Sequence, residues 1–119
     1  METGKHWSDV VVWKEAHQLV LRIYSLLALF PKDEKYNLTS QIKRAAVSVP
    51  KNIVEGHSKN STKDFSRYLY IARGSLEEMR YLFMLSTDLK YITRETCEDL
   101  VGHFARISTL LNHLIKSLH

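Results

Sequence analysis

The chain has few residues that interrupt secondary structure or form cross-links: one cysteine, two prolines and four glycines in 119 residues. A single cysteine, Cys97, excludes an intrachain disulfide and a thiolate metal cluster built within one chain. So few glycines and prolines argue against the frequent turns of an all-β domain. Long helices are therefore the expected structure.

The sequence also lacks a long hydrophobic run. No uncharged apolar stretch approaches the roughly 20 residues needed to cross a bilayer, and the polar segment 1–9 has no apolar signal core. We therefore expect a cytoplasmic protein with no membrane partner. The net charge is small: 17 Lys and Arg residues against 13 Asp and Glu residues give a formal net charge of +4. That balance permits a phosphate partner without requiring one.

Apolar residues instead recur at steps of three and four, the period of amphipathic helices. Four helices are predicted, after Asp9 to about Leu29, from Asn37 to about Glu55, from Ser61 to about Leu89, and from Thr93 nearly to the C-terminus. Ser8 or Asp9, Asn37, Ser61 and Thr93 are the expected N-terminal caps. We predict one all-α domain over 1–119, an antiparallel up-and-down four-helix bundle with an irregular segment at about 1–8.

Proline and glycine positions predict local features of these helices. Pro50 removes a backbone donor and crowds the carbonyl of Ala46, so a kink is expected. Gly56 is expected to end the second helix in a left-handed conformation. Gly74 and Ser75 lie in mid-helix, where glycine costs about 1 kcal/mol, and close packing against another helix is the expected compensation.

Motifs for catalysis are missing. The sequence contains no Glu-x-x-His, no His-Glu-x-x-His, no glycine-rich phosphate loop with its lysine, and no Gly-x-Ser-x-Gly elbow. Histidines on separate segments lack metal-ligand spacing: His17, His57, His103 and His113. Cys97 lies on the apolar stripe of the fourth helix, which favours a small core residue over the alternative of a nucleophile. We predict no catalytic residue, no metal site and no cofactor.

Polar residues form a second stripe along the second helix, at Gln41, Arg44, Ser48, Asn52 and Glu55. Two interpretations stay open. Ser48 and Asn52 satisfy the backbone carbonyl that Pro50 leaves unpaired, or the stripe contacts another subunit.

The third helix has apolar side chains on both flanks, more than one bundle seam needs. Soluble monomers rarely expose so much contiguous apolar surface, so self-association is predicted. The alternative is that Tyr70 and Tyr81 are ordinary exposed tyrosines. The candidate interface comprises Gln41, Ser48, Asn52, Tyr68, Tyr70, Ile71, Tyr81 and Phe83.

The segment 41–56, QIKRAAVSVPKNIVEG, resembles the signature of the bacterial four-helix-bundle proteins encoded in intervening sequences of 23S rRNA genes. Further matches follow in order: Val12-Trp13-Lys14 with Ala16, Phe30-Pro31 with Glu34 and Tyr36, and the segment 72–78. The similarity covers about 12–92, and the fourth helix matches only as an amphipathic pattern. The resemblance implies an up-and-down bundle assembled as a ring-like homopentamer, in a family with no established enzymatic activity. A similar branch, the accessory variability proteins of diversity-generating retroelements, works with a reverse transcriptase and nucleic acid through a basic pentamer surface.

Three functions follow from these observations. The leading hypothesis is a non-catalytic oligomer that binds RNA, DNA or a ribonucleoprotein. Its candidate contacts are Lys43, Arg44, Lys51, Lys59, Lys63 and Arg67. The second hypothesis is a scaffold that docks a protein encoded nearby, without nucleic acid. A bundle enzyme with an unfamiliar site is the third.

Overall fold

Four antiparallel α-helices form an up-and-down bundle 43 Å long in the computed structural model, which describes residues 6–119. The helices are α1 (Val11–Leu27), α2 (Leu38–His57), α3 (Thr62–Asp88) and α4 (Arg94–Ser117). Short 3-10 turns precede α1 at Trp7–Asp9 and α2 at Lys32–Glu34. The predicted fold class and helix order are confirmed. Of the predicted irregular segment, residues 1–5 lie outside the described residues.

Contacts at the two ends of the bundle show the alternating helix direction. The Tyr91 hydroxyl donates to the Glu34 carboxylate at 2.8 Å, which joins the α1–α2 connector to the α3–α4 connector. This hydrogen bond, burial and the negative charge of Glu34 raise the pKa of Tyr91. At the opposite end, Ser66 near the start of α3 hydrogen-bonds His119, beyond the end of α4, at 3.1 Å. Helices adjacent in sequence therefore run in opposite directions.

The apolar stripes of the four helices meet in one core. Phe83 of α3 and Phe104 of α4 are fully buried, with ring centroids 6.0 Å apart. The predicted stripe of α2 is buried over its whole length: Leu38, Ile42, Ala45, Ala46, Val49 and Ile53. The assignment of Phe83 to a subunit interface is wrong, because its side chain is enclosed by its own chain.

Gly56 brings α2 close to α3 and does not end the helix in a left-handed conformation. It lies inside α2, is buried, and has no positive φ. A Cβ at this position would lie 2.8 Å from the Cβ of Tyr68 and 2.9 Å from the ring of Phe65. The prediction that Gly56 terminates α2 is therefore wrong. Glycine is needed here because only a residue without a side chain fits between the two helices.

Two of the predicted N-terminal caps are present. The Ser61 hydroxyl accepts the backbone N–H of Asp64 at 3.2 Å, and the Thr93 hydroxyl accepts that of Thr96 at 3.1 Å. Each satisfies one of the backbone donors that a helix start leaves without a partner.

The other two helices begin differently from the prediction. Asn37 precedes α2, but its side chain makes no capping bond, and Glu34 accepts the N–H of Leu38 at 3.4 Å instead. Val10 occupies the cap position of α1, after the turn Trp7–Asp9, without a side-chain hydrogen bond. The preceding turn therefore takes up the polar residues expected to cap α1.

Gly56→Ala is expected to lower the free energy of unfolding by about 1–3 kcal/mol, since the added methyl group overpacks the α2–α3 contact. Gly102→Ala is the matched control, because nothing lies within 4 Å of a Cβ at this α4 position. Helix propensity should make the control more stable by about 0.5–1 kcal/mol. Urea denaturation measures both, and equal stability of the two variants would contradict the close packing at Gly56.

Candidate nucleic-acid interface

A groove between α1 and α2, here called the basic groove, has a volume of about 520 Å³. Its lining residues are Tyr24, Lys35, Tyr36, Ser40, Lys43, Arg44, Val47, Ser48 and Lys51. They include four cations and no carboxylate. Because Lys43 and Lys51 are eight residues apart on α2, their Cα atoms are about 12 Å apart along the helix axis. The cations thus follow one side of the groove for more than two helical turns.

Two tyrosine rings lie among these cations. The Lys43 ammonium is 5.0 Å from the ring centroid of Tyr24, and the Lys35 ammonium is 5.3 Å from that of Tyr36. The Tyr36 side chain is 88% exposed and Tyr24 is 43% exposed. Sequence reasoning missed Lys35 and both rings as site residues, because they come from α1 and its connector. The only hint of this part of the site in the sequence was that a cation, Lys35, is followed directly by an aromatic residue, Tyr36.

A second, more polar groove runs between α2 and α3. Ser48 of α2 and Ser75 of α3 share a hydrogen bond of 2.7 Å, so Ser75 has the close packing predicted for it. The Asn52 amide donates to the Ser48 hydroxyl at 2.9 Å and to the Ser48 carbonyl at 2.7 Å. It therefore does not serve the Ala46 carbonyl, the one that Pro50 leaves unpaired. Since Asn52 is buried and bonded within its own chain, its assignment to a subunit interface is also corrected.

The six predicted nucleic-acid contacts fall into two groups. Lys43, Arg44 and Lys51 line the basic groove. The other three lie around the α2–α3 connector and the first turns of α3: Lys59, Lys63 and Arg67. This connector is at the opposite end of the bundle from the connector that contains Lys35.

The second group is partly engaged in contacts within the chain. Lys59 and Arg67 lie over the half-buried ring of Tyr68, at 5.5 and 5.8 Å from its centroid. Arg67 also lies 3.6 Å from the Asp64 carboxylate. Lys63 and Arg67 line a separate cavity of about 360 Å³ beside the end of α4. The basic groove is lined by more cations and by no carboxylate, although Arg44 and Lys51 also line the groove between α2 and α3, which Glu78 lines too.

The outer face of α3, defined by Tyr70, Ile71, Gly74 and Tyr81, is exposed, and it also carries the exposed acidic residues Glu77 and Glu78. Tyr70, Ile71 and Tyr81 are 45%, 47% and 58% exposed. Nothing in the described chain lies within 4 Å of a Cβ at Gly74, so the close packing predicted there is not supplied by this chain. Of the other predicted interface residues, Gln41 is exposed and Ser48 is half-buried.

Charged residues link α1 to α4. The Glu15 carboxylate lies 3.2 Å from Arg106 and 3.8 Å from His103, and Arg22 pairs with Asp99. Burial, together with the positive charges of Arg22 and Arg106, lowers the pKa of His103 despite the opposing effect of Glu15. The neutral form of this imidazole therefore predominates at neutral pH.

Side chains that ligate metals do not converge in residues 6–119. No cluster of three or more His, Cys, Asp or Glu side chains there could hold a metal ion. Cys97 is half-buried, with its sulfur 3.8 Å from the carbonyl oxygen of Phe83. Among these residues no helix has the length and apolarity needed to cross a membrane.

The fold and its surface define a class of protein: a small up-and-down four-helix bundle whose second helix has a basic outer face. Comparison with protein families identifies the family within this class. The chain belongs to the 23S rRNA-intervening sequence protein family, whose model matches residues 8–113. This finding confirms the resemblance carried by the segment 41–56.

A solved structure shares the fold over almost the whole of both chains. It is described as a protein with unknown function from the S23 ribosomal protein family of Bacteroides thetaiotaomicron VPI-5482. It is 29% identical in sequence, with a TM-score of 0.83, and the match covers 98% of this chain and 99% of that chain. A comparison with curated proteins gives no match.

The lowered pKa of His103 predicts how stability depends on pH. Between the folded-state pKa and the ordinary value of about 6.5, the unfolded chain binds more protons, so the free energy of unfolding falls as pH drops through this window. His103→Gln should remove this contribution and reduce the loss of stability between pH 7 and pH 5. His113→Gln, an exposed position on the same helix, is the control. Urea denaturation at several pH values measures the slope, and a slope unchanged by His103→Gln would contradict the prediction.

Proposed function

We propose that this protein is a non-catalytic, cytoplasmic oligomer that binds RNA or a ribonucleoprotein through the basic groove. The main support is the concentration of four cations around one groove without a lining carboxylate. Lysine and arginine bind phosphate oxygens through charge-assisted hydrogen bonds, and neutralised phosphates release counterions. A row of such cations along α2 suits a polymer with regularly spaced phosphates.

The proposal includes self-association into the homopentameric ring that the family resemblance implies. The outer face of α3 supports it, because Tyr70, Ile71 and Tyr81 are 45%, 47% and 58% exposed and place apolar surface in solvent. A ring uses two different patches on each subunit. Exposed Leu21 and Leu29 on the α1 side offer apolar surface for the second patch. Repeating the basic groove around a ring multiplies a modest charge and permits several contacts with one RNA.

A protein-interaction scaffold is the second candidate function. The same exposed apolar residues of α3 favour it, since apolar association needs no phosphate partner. The two candidates differ in their response to salt. Phosphate binding weakens steeply as salt rises, whereas burial of apolar surface does not.

Binding of RNA should fall by about 50-fold between 50 and 200 mM salt if all four lining cations contact phosphates of a single-stranded region. The double variant Lys43→Glu/Lys51→Glu removes two of these contacts. Its plot of log affinity against log salt should be less steep by about 1.4. Fluorescence anisotropy with a labelled RNA hairpin that has a long loop measures both quantities.

Lys14→Glu/Lys116→Glu is the matched control for this experiment. Both lysines are exposed outside the basic groove, and the double change alters net charge by the same amount. The control should therefore retain most of the affinity and the salt slope. No binding at 50 mM salt, or equal losses in both double variants, would reject phosphate binding in the basic groove and favour the scaffold.

Gly74→Ala tests whether α3 packs against another subunit. Within the chain its methyl group meets open space, so helix propensity should stabilise the fold by about 0.5–1 kcal/mol, as for Gly102→Ala. If a second copy approaches α3 closely at Gly74, overpacking should weaken association by about tenfold. Sedimentation velocity over a concentration series measures this against Gly102→Ala. An unchanged oligomer distribution would exclude Gly74 from the interface, and a stable wild-type monomer at micromolar concentration would exclude the ring.

A further inference from the structure

Two exposed aromatic rings lie at one end of the basic groove, each with a lysine ammonium over it. Tyr36 is 88% exposed, so its ring buries almost no apolar surface and contributes little to folding. Tyr24 is 43% exposed and lines the same groove, and the partly exposed Val47 lies between the cations on the α2 side. Flat apolar surface is therefore available in a site otherwise built for negative charge.

Resting on the proposed function, we infer that the basic groove selects single-stranded nucleic acid, whose bases stack on Tyr36 and Tyr24 while α2 contacts the phosphates. Aromatic side chains next to cations are the combination that binds single strands with little sequence preference, since every base has a π-face. The rings lie at the connector end of the groove, and the cations extend from there toward Lys51. The groove thus has a stacking end and a phosphate-binding side.

The cations over the rings are compatible with stacking. Lys43 and Lys35 each approach one ring, at 5.0 and 5.3 Å from its centroid, through long and flexible side chains. An arriving base can take the place of the ammonium over the ring, which frees that ammonium to pair with the neighbouring phosphate. In the exchange each ring replaces its cation contact with a stacked base, and each lysine replaces its ring contact with a charge-assisted hydrogen bond to phosphate.

A duplex can use only half of this site. Its bases are stacked on one another and present only their edges in the grooves, so their faces are not available to a tyrosine. Phosphate contacts with α2 would remain, without the contribution from stacking. An acidic polypeptide likewise matches the cations and leaves the rings unused.

The test compares a labelled, unstructured 12-nucleotide RNA with the blunt duplex of the same sequence, at 50 mM salt and with the full chain. The single strand should bind more than about tenfold more tightly than the duplex, because two rings contribute to stacking. Tyr36→Leu should weaken single-strand binding by about tenfold and leave duplex binding unchanged, because it removes the π-face at an exposed position. Tyr36→Phe is the matched control and should keep the affinity, since stacking needs the ring and not the hydroxyl.

The outcomes separate this inference from the proposed function. If neither RNA binds, the proposed function fails and the inference fails with it. If single strand and duplex bind equally, or if Tyr36→Leu leaves single-strand binding unchanged, the groove binds phosphates only and the stacking inference is wrong. Polyglutamate that competes as well as the single strand at equal charge concentration would overturn it in the same way.

Discussion

The close contact between α2 and α3 depends on a glycine at the point where the helices meet. At Gly56 there is no room for a Cβ, since it would lie 2.8 Å from the Cβ of Tyr68. Eight residues earlier on α2, Ser48 hydrogen-bonds Ser75 of α3 at 2.7 Å. These contacts lie on one side of α2 and hold it in a fixed rotation about its own axis, because any other rotation would force larger side chains between the helices. The outward direction of Lys43 and Arg44 is a consequence of that rotation.

The same geometry separates two surfaces of different chemistry. The basic groove collects cations from α2 and from the α1–α2 connector, whereas the outer face of α3 combines exposed apolar side chains with the acidic Glu77 and Glu78. A cation lies beside this face as well, since the Arg73 guanidinium is 4.7 Å from the ring centroid of Tyr70. The proposed self-association and the proposed polyanion binding would use these two different surfaces.

The sequence was most informative where one helix face alone is buried. In α2 and α4 the apolar residues form one narrow stripe, and the structure buries most of them. In α3 the stripe is broad, and Phe83 was placed at a surface because periodicity does not tell which flank of a broad stripe faces inward. The prediction that Gly56 ends α2 in a left-handed conformation was wrong for a related reason. A glycine near the end of a helix suits either a left-handed turn or a close helix contact, and only the position of α3 separates the two.

Amphipathic periodicity and caps such as Ser61 and Thr93 determined the helices and their order, because these signals act within a few residues of sequence. The family signature at 41–56 likewise depends on contiguous sequence. Only the tertiary structure decided which surface residues share a site. Tyr24, Tyr36 and Lys43 meet because α1 and α2 pack side by side, and no local pattern encodes the distance between residues on different helices. Packing in three dimensions also divided the six predicted cations into two groups.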